Sequence, residues 1–154
     1  RDTARWTSRD DVYSPSSELV AAGRTSMTQP YIASVDDEGE TAMMFFGGTF
    51  SHAIRKGAIL ARGEGVRQDR DGRGENPMPR EPSETQHQVA AQALAAVDHI
   101  LGRDAGLMYA RVDLVTAPDG SPLVIELELT EPSLFLPWSG GGAHRLVDTI
   151  AARL

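Results

Sequence analysis

The run at residues 109–132, YARVDLVTAPDGSPLVIELELTEP, narrows the fold of this chain more than any other stretch. β-forming residues fill 111–115 and again 123–129, and Pro118-Asp119-Gly120 between them supplies what a reversing chain needs. The spacing predicts two antiparallel strands. Side chains alternate across a strand, so Ile125, Leu127 and Leu129 share one face and Glu126 and Glu128 the other. On the first strand, Val112 and Leu114 oppose Arg111, Asp113 and Val115. If both apolar rows face one core, Asp113, Glu126 and Glu128 converge on the opposite side. Three carboxylates there repel one another and each resists ionisation. A divalent cation relieves that conflict, and an all-oxygen set suits magnesium. Arg111, on the same face, can hold a phosphate oxygen. An antiparallel hairpin with one solvated acidic face satisfies the same pattern. Alternation alone leaves both readings open.

The rest of the chain reads as a mixed α+β domain with mostly antiparallel pairing and no internal repeat. Residues 1–13 have no clear period, with a short strand expected around Ala4-Arg5-Trp6. Ser14-Pro15-Ser16-Ser17 offers a helix start before Glu18, and Gly23 a stop. Residues 27–32 form a short extended run whose Pro30 keeps it out of a central ladder, and residues 36–40 are an acidic turn. Residues 41–46 read as a buried strand, with Gly47-Gly48 turning into a return strand that ends in Arg55-Lys56. Residues 61–82 are rich in glycine, proline, arginine and acid; a loop of that length in a compact domain is either functional or disordered. Ser83 with Gln86 makes a capping box that opens a helix carrying Val89, Ala93, Val97 and Ile100, closed by Gly102. Ser139-Gly140-Gly141-Gly142 reads as a hinge into a last helix with the apolar stripe Leu146, Val147, Ile150 and Leu154.

Composition excludes several classes. The 154 residues suffice for one domain with its own core. A net charge of −7 argues against nucleic acid or an acidic membrane surface as partner. With no cysteine, disulfides, thiolate catalysis and zinc–thiolate sites fall away. No apolar run spans a bilayer, and the cytoplasm is the default location. The polar start at Arg1, without methionine, suggests a piece of something longer. His52 and His144 lack ligand spacing to a second histidine, and His87 and His99 are too far apart on one helix to share a metal. Neither G-x-S-x-G, a Walker sequence nor a strand-borne G-x-G-x-x-G is present.

The Val112-Asp113-Leu114-Val115 strand, its turn, and Ile125-Glu126-Leu127-Glu128-Leu129-Thr130-Glu131-Pro132 resemble the carboxy-terminal half of ATP-grasp ligases, in the glutathione synthetase-like branch. The resemblance runs along nearly the whole chain. It implies that Gln29-Pro30-Tyr31-Ile32 is the hinge that receives adenine, and that Glu40 is the ribose-binding acid, with Glu38 as the lesser candidate. The hairpin from Phe45-Phe46-Gly47-Gly48 to Arg55-Lys56 is similar to the one that carries a basic residue, Arg55, toward the acceptor. Arg73-Gly74-Glu75 resembles the loop that closes over the reaction, with Gly72 and Gly74 at its turn. Arg111 takes the place of the phosphate-contacting arginine, and Asp113, Glu126 and Glu128 that of the metal carboxylates.

The chain departs from the family pattern at three places. Glu128 stands where asparagine is usual. No lysine precedes Lys56, although the family's phosphate lysines lie ahead of the hinge, and Arg1-Asp2-Thr3-Ala4-Arg5 resembles the loop just past the missing one. The amino-terminal carboxylate-binding domain has no counterpart.

The resemblance therefore implies about half an enzyme. Residues 1–28 would be the remnant of a small subdomain, and 29–154 the hinge and carboxy-terminal subdomain with a mobile loop at 61–82. The implied reaction is carboxylate–amine ligation through an acylphosphate, with ATP and magnesium or manganese, on amino-acid or peptide substrates. A homo-oligomer is compatible with the chain. A nucleotide- and metal-binding remnant without turnover, or an interaction domain whose acidic face is only solvated, are the alternatives.

Overall fold

The structure is a computed structural model that describes residues 4–60 and 76–154. Five strands form one antiparallel sheet in the order β3-β2-β1-β4-β5: β1 (Glu40–Phe46), β2 (Thr49–Lys56), β3 (Met78–Arg80), β4 (Tyr109–Thr116) and β5 (Pro122–Glu128). Helices α1 (Asp10–Ala21), α2 (Ser34–Asp37), α3 (Glu84–Leu101) and α4 (Gly142–Ala151) accompany it, with a 3-10 turn at Leu136–Trp138. β1 lies at the centre because Thr41 to Phe46 are buried without interruption, so it can pack on both faces. Gly47 and Gly48, at φ +56° and +80°, make the tight reversal into β2.

α3 covers one face. Ser83 accepts the Gln86 amide and the Gln86 side chain accepts from the Ser83 amide, satisfying two donors at its start; Gly102, at φ +64°, ends it. Its Val89, Ala93 and Leu94 pack on Met43, Phe45, Val112 and Leu114. This is the helix face. On the other side, Ala42, Met44 and Ile54 meet Leu134 and Phe135, while charged side chains occupy the remainder. This is the acid face.

Several local expectations change. α1 begins at Asp10, not after Ser14, and Pro15 lies inside it. The start comes from Ser8, whose hydroxyl accepts the Asp11 amide at 3.2 Å, and from the acids of the first turn. No strand forms at residues 4–6, and residues 27–32 lie outside the sheet. β3, with Pro79 inside, adds a short edge strand within the stretch read as loop; proline is tolerated there because an edge strand has unpaired positions. On β5, Asp113 pairs with Glu126 but Leu114 pairs with Val124, so Ile125 is the extra residue of a bulge. Val124, not Ile125, therefore packs with Leu127 and Leu129 on the helix face. The stripe on α4 is not a core stripe: Val147 and Ile150 are exposed. The segment before α4 is bonded, with the Ser139 hydroxyl donating to the Leu136 carbonyl and accepting the Gly142 amide. Gly72, Arg73, Gly74 and Glu75, like residues 1–3, lie outside the described residues.

Candidate functional site

The acid face is built by three strands in register. Glu40 is paired with Lys56, Ala42 with both Ile54 and Asp113, Asp113 with Glu126, and Arg111 with Glu128. Alternation then puts Glu40, Lys56, Arg111, Asp113, Glu126 and Glu128 on one side. Asp113 is fully buried, yet both its oxygens are satisfied: Lys56 Nζ lies 2.6 Å from Oδ2 and Arg111 Nε 2.8 Å from Oδ1. The Arg111 guanidinium gives each nitrogen to a different acid. Nη2 reaches Glu126 at 2.7 Å and Nη1 reaches Glu128 at 2.6 Å. Lys56 also holds Glu40, at 2.8 Å. One chain of ion pairs thus crosses the sheet from Glu40 through Lys56, Asp113 and Arg111 to Glu126 and Glu128.

Small size at position 42 makes the crossing feasible. β2 and β4 flank β1, so Lys56 and Asp113 sit on strands roughly 10 Å apart. Between them lies Ala42, whose methyl lets the lysine stem pass over β1.

The electrostatics follow from this packing. Burial works against the Lys56 ammonium, but Asp113 and Glu40 outweigh it and hold its pKa above the ordinary value. Arg111 is treated the same way, with burial opposed by Asp113, Glu128 and Glu126. Glu126 is pushed up by burial and by Asp113, against the pull of Arg111. Four carboxylates face two cations, which leaves a formal excess of two negative charges. That excess, the all-oxygen donors and the raised Glu126 fit a divalent cation. Among the described residues, no three acids or histidines stand in a metal-holding arrangement, because the carboxylates gather about the Arg111 guanidinium.

The other residues singled out from the sequence are distributed around this network. Arg55 is on the helix face with Ala53, and its guanidinium donates to the carbonyls of Glu38, at 2.8 Å, and Asp37, at 3.1 Å. It does not share the face of Arg111. Lys56, one residue on, does, and sequence reasoning gave it no role of its own. One signal pointed to it, that it is the one lysine of the chain. Its place opposite Glu40 comes from a bulge in β2, where Met44 pairs with His52 but Phe45 with Phe50; the Gly47-Gly48 turn alone would have set Arg55 there. Gln29, Pro30, Tyr31 and Ile32 lie in irregular backbone ahead of α2. The Tyr31 hydroxyl donates to Asp36 at 2.5 Å, Asp36 also pairs with Arg5, and the Arg5 guanidinium lies 3.4 Å from the Tyr31 ring centre. Burial and the Asp36 bond push the Tyr31 pKa up to about 12. Glu38 accepts a hydrogen bond from the Thr116 hydroxyl at 2.5 Å.

His52 is a core histidine. Its Nε2 faces the Leu134 carbonyl at 2.9 Å and so carries the proton, while Nδ1 accepts from the Ser51 hydroxyl. Burial, and then Arg145, hold its pKa down against that carbonyl. A hollow of about 340 Å³ behind the sheet, lined among others by Phe45, Leu94, Tyr109 and Arg153, contains none of the candidate residues.

No family model matches the chain. It is 46% identical over 141 residues to the cycloserine biosynthesis protein DcsG of Streptomyces lavendulae, across 88% of this chain and 44% of that protein. The crystal structure of D-cycloserine synthetase DcsG superposes with a TM-score of 0.81 at 42% identity, covering 94% of this chain and 48% of that one. The D-alanine–D-alanine ligase of Bacillus anthracis complexed with ATP gives 0.55 at 22% identity, over 94% and 46% of the two chains. The ATP-grasp ligase PsnB gives 0.51 at 16%, over 96% and 44%. The chain is a homologue of DcsG with the ATP-grasp fold. It spans about half the length of the relatives it matches. The ATP-grasp sheet is thus the frame on which the acid-face network is mounted.

Proposed function

We propose that this chain is the carboxy-terminal part of an ATP-grasp domain in an ATP- and magnesium-dependent carboxylate–amine ligase. The observation that carries the reading is the grip of one guanidinium, Arg111, by Asp113, Glu126 and Glu128 on a single face. In the reaction, the γ-phosphoryl group passes from ATP to a carboxylate oxygen and ADP leaves. An amine then attacks the acylphosphate carbon, phosphate departs, and the amine loses a proton. Asp113, Glu126 and Glu128 would hold magnesium, which supplies charge neutralisation at the phosphates.

The chain's own residues do the remaining work. Arg111 turns from the carboxylates to the transferring phosphoryl oxygens, where its fork of donors stabilises charge. Lys56, on the same face, takes the part that the resemblance gave to Arg55, meeting the acceptor carboxylate or acylphosphate. Glu40 receives the ribose hydroxyls, and the backbone of Gln29, Pro30, Tyr31 and Ile32 reads the adenine edge. The likeness to a D-cycloserine synthetase favours a small amino-acid-derived substrate.

Isothermal titration and thermal shift with ATP and magnesium, beside Glu126→Gln and Lys56→Met, test the reading. Stabilisation by ATP should require magnesium and be lost in both variants, since a ligand bound only by the native state raises its stability. In the full-length protein, ADP release should depend on a carboxylate and an amine together. Binding of ATP by a folded protein with no dependence on magnesium or on either residue would overturn the assignment.

A further inference from the structure

The acid face is held from behind. β3 pairs with β2 so that Arg80 stands opposite Ala53, on the helix face, away from the ion network. Its Nη1 donates to the Thr41 hydroxyl at 2.8 Å and its Nη2 to the Glu38 carbonyl at 3.1 Å. These two acceptors bracket Glu40 in the chain. Arg55 donates to the same Glu38 carbonyl at 2.8 Å, so two guanidiniums converge on one oxygen. Neither is within ion-pair distance of a carboxylate among the described residues. Gly39, between the bracketing residues, has φ +72° and lies so close to β2 that a Cβ there would come within 2.3 Å of the Lys56 carbonyl. Glu40 therefore leaves a backbone pinned at both sides, and its carboxylate emerges on the acid face against Lys56.

Two cations side by side, each half-buried, oppose each other and are costly to keep. β1 does not need them to be held in the sheet, because it is already the central strand with ladders on both edges. What they do is fix the one peptide turn that joins α2 to Glu40.

From this geometry we infer that Arg80, assisted by Arg55, is a positioning residue that sets Glu40 for the ribose of the nucleotide. The inference rests on the proposed function above, in which Glu40 meets the ribose hydroxyls. Arg80 itself touches neither nucleotide nor reacting atoms.

The test uses ribose discrimination in the full-length protein. Dissociation constants are measured for ATP, 2′-deoxyATP and 3′-deoxyATP with magnesium present, in wild type, Glu40→Gln, Arg80→Gln, Arg80→Lys and the Glu40→Gln/Arg80→Gln double variant. Wild type should favour ATP over at least one deoxy analogue by on the order of tenfold, as for loss of a hydrogen bond to a charged group. Arg80→Gln should lose most of that ratio, and the double variant should lose no more than Glu40→Gln alone. Arg80→Lys, which keeps the charge but reaches only one of the two acceptors, should fall between. Should Arg80→Gln fail to fold, Thr41→Val removes one acceptor and should lower the ratio in the same direction. A wild-type ratio retained in folded Arg80→Gln, or in folded Thr41→Val where Arg80→Gln does not fold, overturns the inference while leaving the nucleotide site in place. A ratio near one in wild type, with ATP bound, removes Glu40 from the ribose and the inference with it. Absence of any ATP binding in wild type overturns the proposed function as well.

Discussion

Asp113 and Glu126 face each other across β4 and β5, yet their environments set them opposite energetic roles. Asp113 is fully buried between two cations, so truncation takes from Lys56 and Arg111 their one fully buried partner and leaves them only the more exposed Glu40, Glu126 and Glu128. Asp113→Ala should lose about 3 kcal/mol in urea denaturation, as for removal of charge-assisted hydrogen bonds whose donors keep other partners. Glu126 is half-exposed, and burial with Asp113 holds its pKa above the ordinary value of 4.5. The folded state therefore binds more protons than the unfolded just above pH 4.5, and stability falls as pH rises through that window. Glu126→Gln should remove this decline and be little less stable than wild type at neutral pH; a loss as large as that of Asp113→Ala would contradict the assignment. At the alkaline end, Tyr31 keeps its proton to about 12 when folded, against 10.0 ordinarily. Stability contributed by the neutral phenol is complete below pH 10 and is lost between pH 10 and about 12. Lys56, raised above 10.5, adds a loss of the same sign. Tyr31→Phe should flatten the alkaline decline, and absorbance at phenolate wavelengths should show one tyrosine titrating late.

Among the elements, the β4–β5 hairpin was the most readable from the sequence. Alternation put Asp113, Glu126 and Glu128 on one face because strand geometry has a period of two and the turn residues fixed where it began. The bulge at Ile125 was not readable, since Val124 and Ile125 are both β-branched and either could face the core. α3 was legible to the residue at its cap, as Ser83 and Gln86 satisfy each other locally. β3 was not: three residues with a proline carry no pattern of their own, and the strand exists because β2 offers an edge. Lys56 was hidden for another reason. Its role depends on Ala42, a neighbour on another strand whose small size has no local signature. This gives an element-scale expectation. Ala42→Leu should wedge Lys56 away from Asp113 and weaken nucleotide binding at least as much as Lys56→Met, while far-ultraviolet circular dichroism stays that of wild type. Unchanged binding would show that the lysine does not need that passage.

For the molecule as a whole, the sheet separates two kinds of work. The helix face carries the apolar packing of α3 and the arginines that pin the backbone, and the acid face carries the paired charges. No helix among the described residues is long and apolar enough to cross a membrane. The excess negative charge of the acid face means that magnesium alone should protect the native state, at concentrations where sodium of equal ionic strength does not. Thermal denaturation in the two salts checks this, and equal protection would reduce the effect to screening.

The single lysine has a practical consequence. Apart from the chain's own amino terminus, Lys56 is the one primary amine in these 154 residues, and it is buried between two carboxylates. A mild acylating reagent can therefore modify a side chain only when the network comes apart. In this 154-residue chain the rate of the second mass increment, after that of the amino terminus, is a clock for opening of the acid face, readable by intact-mass spectrometry without any probe being installed. Ligands that draw Lys56 onto themselves would slow the clock, and those that merely displace its carboxylates would speed it.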